Sequence, residues 1–375
     1  RAKHLGGTTA HQRRHHPGSL ILLLVLVIMH RLLLLAALLP FTAQALDPAY
    51  QYLTPTELQG YGDFDGNSQL EALLIDRATG LYRRALPQAD GSLLFTAPAP
   101  TGLTSADTFS VGRLTTSLND QLLVGGLQAN RSHLLSPASA TSQPLPIFTS
   151  GIGHRSLAAI DIALPGNVPS LLDLFLLTGH ADEPQTQAIF QTASGSATLR
   201  SESVNPAPPR RILRVKAFSN GPDYLLSFQP NASPDTEDIL LSDPQAIESP
   251  PADSLFGLPL GSDLIHGPFR GGPNHQFLFF VPGSPLLRLV NTLPGSLLQN
   301  PVTQDLGAPI ESLHHAHNGT ALGFFVIFDG GQSGTFFTLD GSGAAVPGQS
   351  LAAPAGQRLT GLIAPVPGHL TTLAG

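Results

Sequence analysis

Apolar residues along this chain gather in short runs that recur at an even spacing. The runs lie at residues 73–75, 122–124, 174–177, 224–226, 277–280, 324–326 and 370–373. Up to ten residues before each run stands an anchor position: Phe64, Leu114, Leu164, Phe218, Phe269, His317 and Val366. Successive anchors are 48 to 54 residues apart. In six of the units a second apolar run follows, at 80–82, 133–135, 188–190, 239–241, 286–290 and 335–337. Each run is short and bounded by Gly, Pro, Asn or Asp, which predicts β-strands, and none is long enough for a helix.

A period near 50 with several short strands per unit predicts an all-β chain folded as a β-propeller. The spacing gives seven blades of about 50 residues, the last incomplete in this chain. A lone sheet cannot bury both faces, whereas sheets stacked around an axis cover one another and leave only short edges exposed. Residues 50–53 supply a strand that would close the ring. Two face-to-face layers, as in a sandwich, are the competing arrangement. Residues 233–254, acidic and Pro-rich, and residues 194–210, rich in Ser and Pro, read as long connections.

The first 45 residues stand apart. The chain's one methionine is Met29, followed by His30 and Arg31, an apolar stretch at 32–39, and Ala43-Gln44-Ala45. A basic start, an apolar middle and an Ala-x-Ala site make a secretory signal peptide over 29–45. Residues 1–28 then form an upstream extension from a mis-set start, and 46–375 the propeller domain. A membrane anchor over 19–39 is the alternative, but His30 and Arg31 split it into pieces well short of the roughly 20 apolar residues a span needs. An exported protein would be periplasmic, on the cell surface or extracellular.

Removing the leader takes away Arg1, Lys3, Arg13, Arg14 and Arg31 and no acid, leaving 14 bases against 26 acids. Such a surface does not suit nucleic acid or anionic lipid, and no membrane span remains after cleavage. The sequence has no Cys, so the core must hold without disulfides. Lys3 and Lys216 are its only lysines, a usage that points to a GC-rich bacterial source.

The strongest motif is residues 62–71, Gly-Asp-Phe-Asp-Gly-Asn-Ser-Gln-Leu-Glu, followed by Ala72-Leu73-Leu74-Ile75. Oxygen-bearing residues alternate at Asp63, Asp65, Asn67, Gln69 and Glu71 around a turn allowed by Gly66. Calcium takes six to eight oxygens, which such a loop can supply; acids that cap backbone donors in a metal-free turn explain the same residues. These residues resemble the FG-GAP/VCBS repeat, which builds the β-propellers of integrin α subunits and of many bacterial secreted proteins. The resemblance implies a structural Ca²⁺ held by the side chains of Asp63, Asp65, Asn67 and Glu71 and the backbone carbonyl of Gln69. It covers about 15 residues. Glu71 and Ser68 depart from the family's usual Asp and Gly, and the ligand positions are lost in later copies, which have Arg113 and Ala163 at the first of them.

Other candidates are sparser. His314, His315 and His317 have tolerable spacing for zinc but no Cys or second dyad nearby. Arg113, Lys216 and Arg270 stand beside anchors, and with His266 and His317 they make a candidate cationic pocket. No Gly-x-Ser-x-Gly, phosphate loop or His-Glu-x-x-His is present, so no catalytic residue is assigned. The expected function is a non-enzymatic binding or adhesion module taking a protein or glycan ligand at the propeller face. It stands alone or heads a larger surface or Rhs/toxin-complex-like protein. A polysaccharide lyase or hydrolase with its site at the central channel and a purely structural spacer are the alternatives. Three or more titratable groups converging on one pocket would favour the enzyme.

Overall fold

The run at 277–280 lies in the strand Gln276–Phe280, and every residue of that strand is buried. Successive side chains of a strand point to opposite faces, and here the two faces feed different cores. Phe277 and Phe279 pack with Phe228, Ile239 and Leu241 of the preceding sheet. Leu278 and Phe280 pack with Phe324, Val326 and Phe337 of the following one. The strand Glu71–Asp76 divides in the same way. Its Leu73 and Ile75 join Leu122 and Val124, whereas Ala72 and Leu74 meet Ala85 and Leu93. Strands covered on both sides need continuous apolar runs rather than alternation. Each fully buried large side chain contributes roughly 1.5–3 kcal/mol.

The computed structural model describes residues 49–52, 57–67, 71–88, 93–112, 114, 119–126, 132–144, 154–160, 173–178, 185–191, 197–204, 209–219, 221–243, 251–293, 297–298, 301–317, 322–363 and 371–374. The chain separates into two units, Arg1–Ala45 and Leu46–Gly375. The first unit, with the expected extension, signal peptide and anchor alternative, lies outside the described residues. No helix among the described residues is long and apolar enough to cross a membrane.

After β1 (Ala49–Tyr52) comes a sheet of β2 (Glu57–Gly62), β3 (Glu71–Asp76), β4 (Leu81–Pro87) and β5 (Leu93–Phe95), with β6 (Ala99–Pro100) also paired to β4. Four-stranded sheets follow. The first comprises β7 (Thr108–Gly112), β8 (Gln121–Gly125), β9 (His133–Ser136) and β10 (Thr141–Pro144). The next holds β11 (His154–Ile160), β12 (Asp173–Thr178), β13 (Gln185–Gln191) and β14 (Ala197–Val204). Then come β15 (Arg211–Lys216), β16 (Asp223–Pro230), β17 (Thr236–Ser242) and β18 (Asp253–Pro259). These are followed by β19 (Asp263–Gly267), β20 (Gln276–Phe280), β21 (Leu286–Asn291) and β22 (Val302–Asp305). The fifth such sheet is β23 (Ile310–His317), β24 (Leu322–Phe328), β25 (Ser333–Leu339) and β26 (Ala345–Ala352). In each, strands pair antiparallel in chain order, the sheet meandering outward from its first strand. A three-stranded sheet unites β27 (Leu359–Ile363) and β28 (Thr371–Ala374) with β1, which runs parallel to β28 from Ala49↔Thr371 to Tyr52↔Ala374. The strand expected at 50–53 is thus β1.

The expected count of seven blades is corrected: among the described residues the regular four-stranded blades number five. Anchor spacing reports how often the chain returns to the axis, not how many strands each return completes. In the sheet built on β2, the outer strand divides between β5 and β6, where the Thr96 amide still donates to the Arg84 carbonyl but the Arg84 amide turns to Thr96 Oγ1. The three-stranded sheet has only two strands from its own stretch of chain and takes its third from β1.

First strands of successive sheets lie side by side: β2 by β7, β7 by β11, β11 by β15, β15 by β19 and β19 by β23. This is a β-propeller. Anchors sit just past the first strands, with Phe64 and Leu114 fully buried and Phe269 nearly so. Phe64 lies across the backbone of Gly62, where a methyl group would come within 3.0 Å of its ring and 2.9 Å of Val111. Leu164 and Val366 lie outside the described residues.

Candidate functional site

Where the first strands begin, their leading residues are charged and face a shared cavity of about 440 Å³. Arg77, Asp107, Arg210, Arg211 and Asp263 line it together with Thr108 and Ser156, over an apolar surface of Leu58, Phe109, Leu157 and Leu213. Apart from Arg77, which follows β3, these residues come from or adjoin β2, β7, β11, β15 and β19, so the cavity lies at the channel mouth formed by the first strands. Ser156 Oγ donates to the Ile212 carbonyl at 2.8 Å and so ties β11 to β15.

Two of the three arginines are engaged. Arg210 donates from Nε and Nη2 to the Glu237 carboxylate, both at 3.0 Å, and lies over the Phe228 ring at 4.8 Å. Glu237 is fully buried and also accepts from the Ser262 amide at 2.8 Å. Arg211 pairs with Asp263, whose Oδ1 accepts as well from the Leu264 amide. Arg77 stands in the turn after β3. Its carbonyl accepts from the Ala106 amide, and its exposed guanidinium has no hydrogen bond or ion pair among the described residues. The mouth therefore offers one uncommitted cation beside paired ones, with hydroxyls, carboxylates and an apolar wall.

Toward the other end of the same strands lies a second cluster. Asp223, almost fully buried, accepts from Arg214 Nε at 2.7 Å and pairs with Lys216 Nζ at 3.5 Å. His266 and His275 stack at 5.9 Å, and the His315 ring lies against Phe269 with Nε2 2.8 Å from the His266 carbonyl. Burial lowers the His266 pKa to about 3, and neighbouring His315 and His275 push it the same way. Burial and then Lys216 lower His275, and burial lowers His315. His314 falls to about 4, chiefly by burial with His315 adding to it. All four shifts run downward and so favour the neutral ring.

Of the cationic pocket expected from sequence, Lys216 and His266 belong to this cluster. Arg270 does not: its guanidinium donates to the Gly341 carbonyl. Arg113 and the His317 side chain lie outside the described residues. His314 and His315 are consecutive on β23 and diverge, one to Ser312 Oγ at 2.9 Å and the other to the His266 carbonyl. No set of three His, Cys, Asp or Glu able to hold a metal occurs among the described residues. Sequence reading missed His275 and the Arg214–Asp223 pair. Arg214 and Lys216 sit two apart on β15, which places them on one face, and Asp223 is the register partner of Lys216.

At the motif of residues 63–71, Asp63 Oδ1 accepts from the Gly66 amide at 2.8 Å and Asp65 Oδ1 from the Asn67 amide at 3.2 Å. The Asp63 amide donates to Asp120 Oδ2 at 2.8 Å, which fixes the loop to the next sheet. Arg84 Nε donates to Glu71 Oε2 at 3.2 Å, its Nη2 bonds the other Glu71 oxygen, and the same Nη2 lies 3.4 Å from Asp65 Oδ2. Burial pushes the Glu71 carboxyl above its ordinary pKa, opposed by Arg84. Gln69 lies outside the described residues. A guanidinium in contact with two of the oxygens is a poor fit to a calcium shell, which needs them for the ion.

No family model matches the chain, and no curated protein matches it. Solved structures do. The crystal structure of BBS1N in complex with ARL6DN aligns over 84% of this chain and 85% of that one, at 8% identity and a TM-score of 0.51. The periplasmic gluconolactonase PpgL of Pseudomonas aeruginosa aligns over 79% and 83%, at 16% identity and a TM-score of 0.48. The dihydro-heme d1 dehydrogenase NirN aligns over 81% and 58%, at 10% identity and a TM-score of 0.47. The first of these, at a TM-score above 0.5, shares its fold with the chain. A propeller hosts many chemistries, so function rests on the site.

Proposed function

We propose that this chain is an exported, non-enzymatic binding protein whose channel mouth takes a carboxylate-bearing glycan. The observation that carries the reading is Arg77, whose guanidinium has no hydrogen bond or ion pair among the described residues and lies at the rim of a 440 Å³ cavity. Arginine suits planar carboxylates through paired hydrogen bonds. Asp107, Asp263 and Thr108 can accept or donate to sugar hydroxyls, and Leu58, Phe109 and Leu157 offer apolar cover for a ring face. The volume falls in the usual range of about 300–1,000 Å³ for small-ligand pockets. Export rests on the leader at 29–45.

The test is calorimetric titration of the full chain with an oligogalacturonate and with a neutral oligosaccharide of equal length. Binding of the acidic glycan alone is expected, weakened about tenfold or more by Arg77→Ala, a loss of about 1.4 kcal/mol. Equal binding of both glycans, or an Arg77→Ala variant that binds as before, would overturn the reading. The five titratable groups on the cavity meet the expectation for an enzyme, but Arg210, Arg211 and Asp263 are held in ion pairs, so an enzyme stands as the second reading. New reducing or unsaturated ends after incubation with the acidic glycan would establish it in place of the first.

A further inference from the structure

We propose that Arg84 is the resident cation of the loop at Asp63, holding the carboxylates of Asp65 and Glu71 in place of a bound metal ion. Strand register puts it there. Arg84 on β4 pairs across from Leu73 on β3, and Glu71 lies two residues from Leu73 on the same face. The guanidinium therefore reaches diagonally to the Glu71 carboxylate and makes two hydrogen bonds with it. Glu71 is 2% exposed and the Arg84 side chain 11%, so water does not neutralise either charge. The Nη2 that bonds Glu71 also lies 3.4 Å from Asp65 Oδ2, at the base of the loop.

One oxygen of each loop aspartate also holds a backbone amide. Asp63 and Asp65 cap the amides of Gly66 and Asn67, and Asp120 receives the Asp63 amide. A divalent ion on Asp65 and Glu71 would sit within a few ångströms of the guanidinium and be repelled by it, with water largely excluded. An arginine supplied by the next strand closes the loop without any dependence on the calcium concentration outside the cell. It also explains why Glu stands at 71, since its longer side chain meets Arg84 from the first residue of β3.

Thermal unfolding of the full chain in calcium chloride or in excess chelator tests this, with calorimetric titration of calcium as the second measurement. The wild-type midpoint is expected to be the same in both, with no calcium heat. Arg84→Gln is expected to lower the midpoint and to gain a calcium-dependent increase, because two carboxylates are released. Arg84→Lys is expected to retain part of the stability and no calcium response. A wild-type midpoint that rises with calcium and falls with chelator would overturn the proposal. So would an Arg84→Gln variant as stable as wild type.

Discussion

Replacing Arg210 by alanine removes two of the three hydrogen bonds that hold the fully buried Glu237 carboxylate, leaving only the Ser262 amide. Taking one partner from a buried pair costs about 3–5 kcal/mol, because the remaining charge stays desolvated. The Arg210 side chain is 35% exposed, so water partly fills the gap and the lower end, about 3 kcal/mol, applies. Losing the guanidinium from the face of Phe228 adds roughly 0.5–1 kcal/mol. Urea unfolding followed by circular dichroism should show a lower midpoint with an unchanged slope. The absence of cysteine keeps disulfide exchange out of the measurement. The double variant Arg210→Met with Glu237→Leu should recover most of the loss, since two apolar groups leave no stranded charge. A single variant costing less than about 1 kcal/mol, or a double variant no more stable than the single, would refute the reasoning.

Phe279→Ala empties a position shared by two sheets and should cost about 3–5 kcal/mol in the same denaturation assay. Gly334→Ala should cost roughly 1–3 kcal/mol, because the new methyl would press into the Phe325 ring and lie 3.0 Å from the Val326 carbonyl. Stability should fall as pH drops from about 6.5 toward 4: the unfolded chain protonates histidines that the folded state holds neutral, His266 down to about 3 among them. Over that range His266 adds a slope of about 1.4 kcal/mol per pH unit, so His266→Gln should flatten the stability–pH curve by about that amount.

The strands could be read from sequence because second strands such as β3, β8 and β20 are buried on both faces, so runs such as Phe277–Phe280 stand out without any need for alternation. The anchor at Phe64 was legible for a related reason: a large apolar residue two positions after a glycine has one place to go, across that glycine's backbone. Blade completeness was not legible, because the break between β5 and β6 depends on one amide turning to Thr96. Nor was the mouth cavity, which gathers Arg77, Asp107, Arg211 and Asp263 from segments far apart in sequence. Arg84 escaped notice at the acidic motif since only the pairing of β3 with β4 brings it to Glu71. Two histidines that looked like a chelating pair, His314 and His315, are directed apart by the strand on which they sit.

Hydrogen–deuterium exchange of the full chain with and without oligogalacturonate tests the placement of the ligand most directly. Slower exchange is expected in peptides covering residues 105–109 and 209–213, at the arginine-lined start of the first strands, with no change around His266, His275 and His315. Protection at the histidine end, or only along the outer strands, would contradict a ligand seated in the channel mouth.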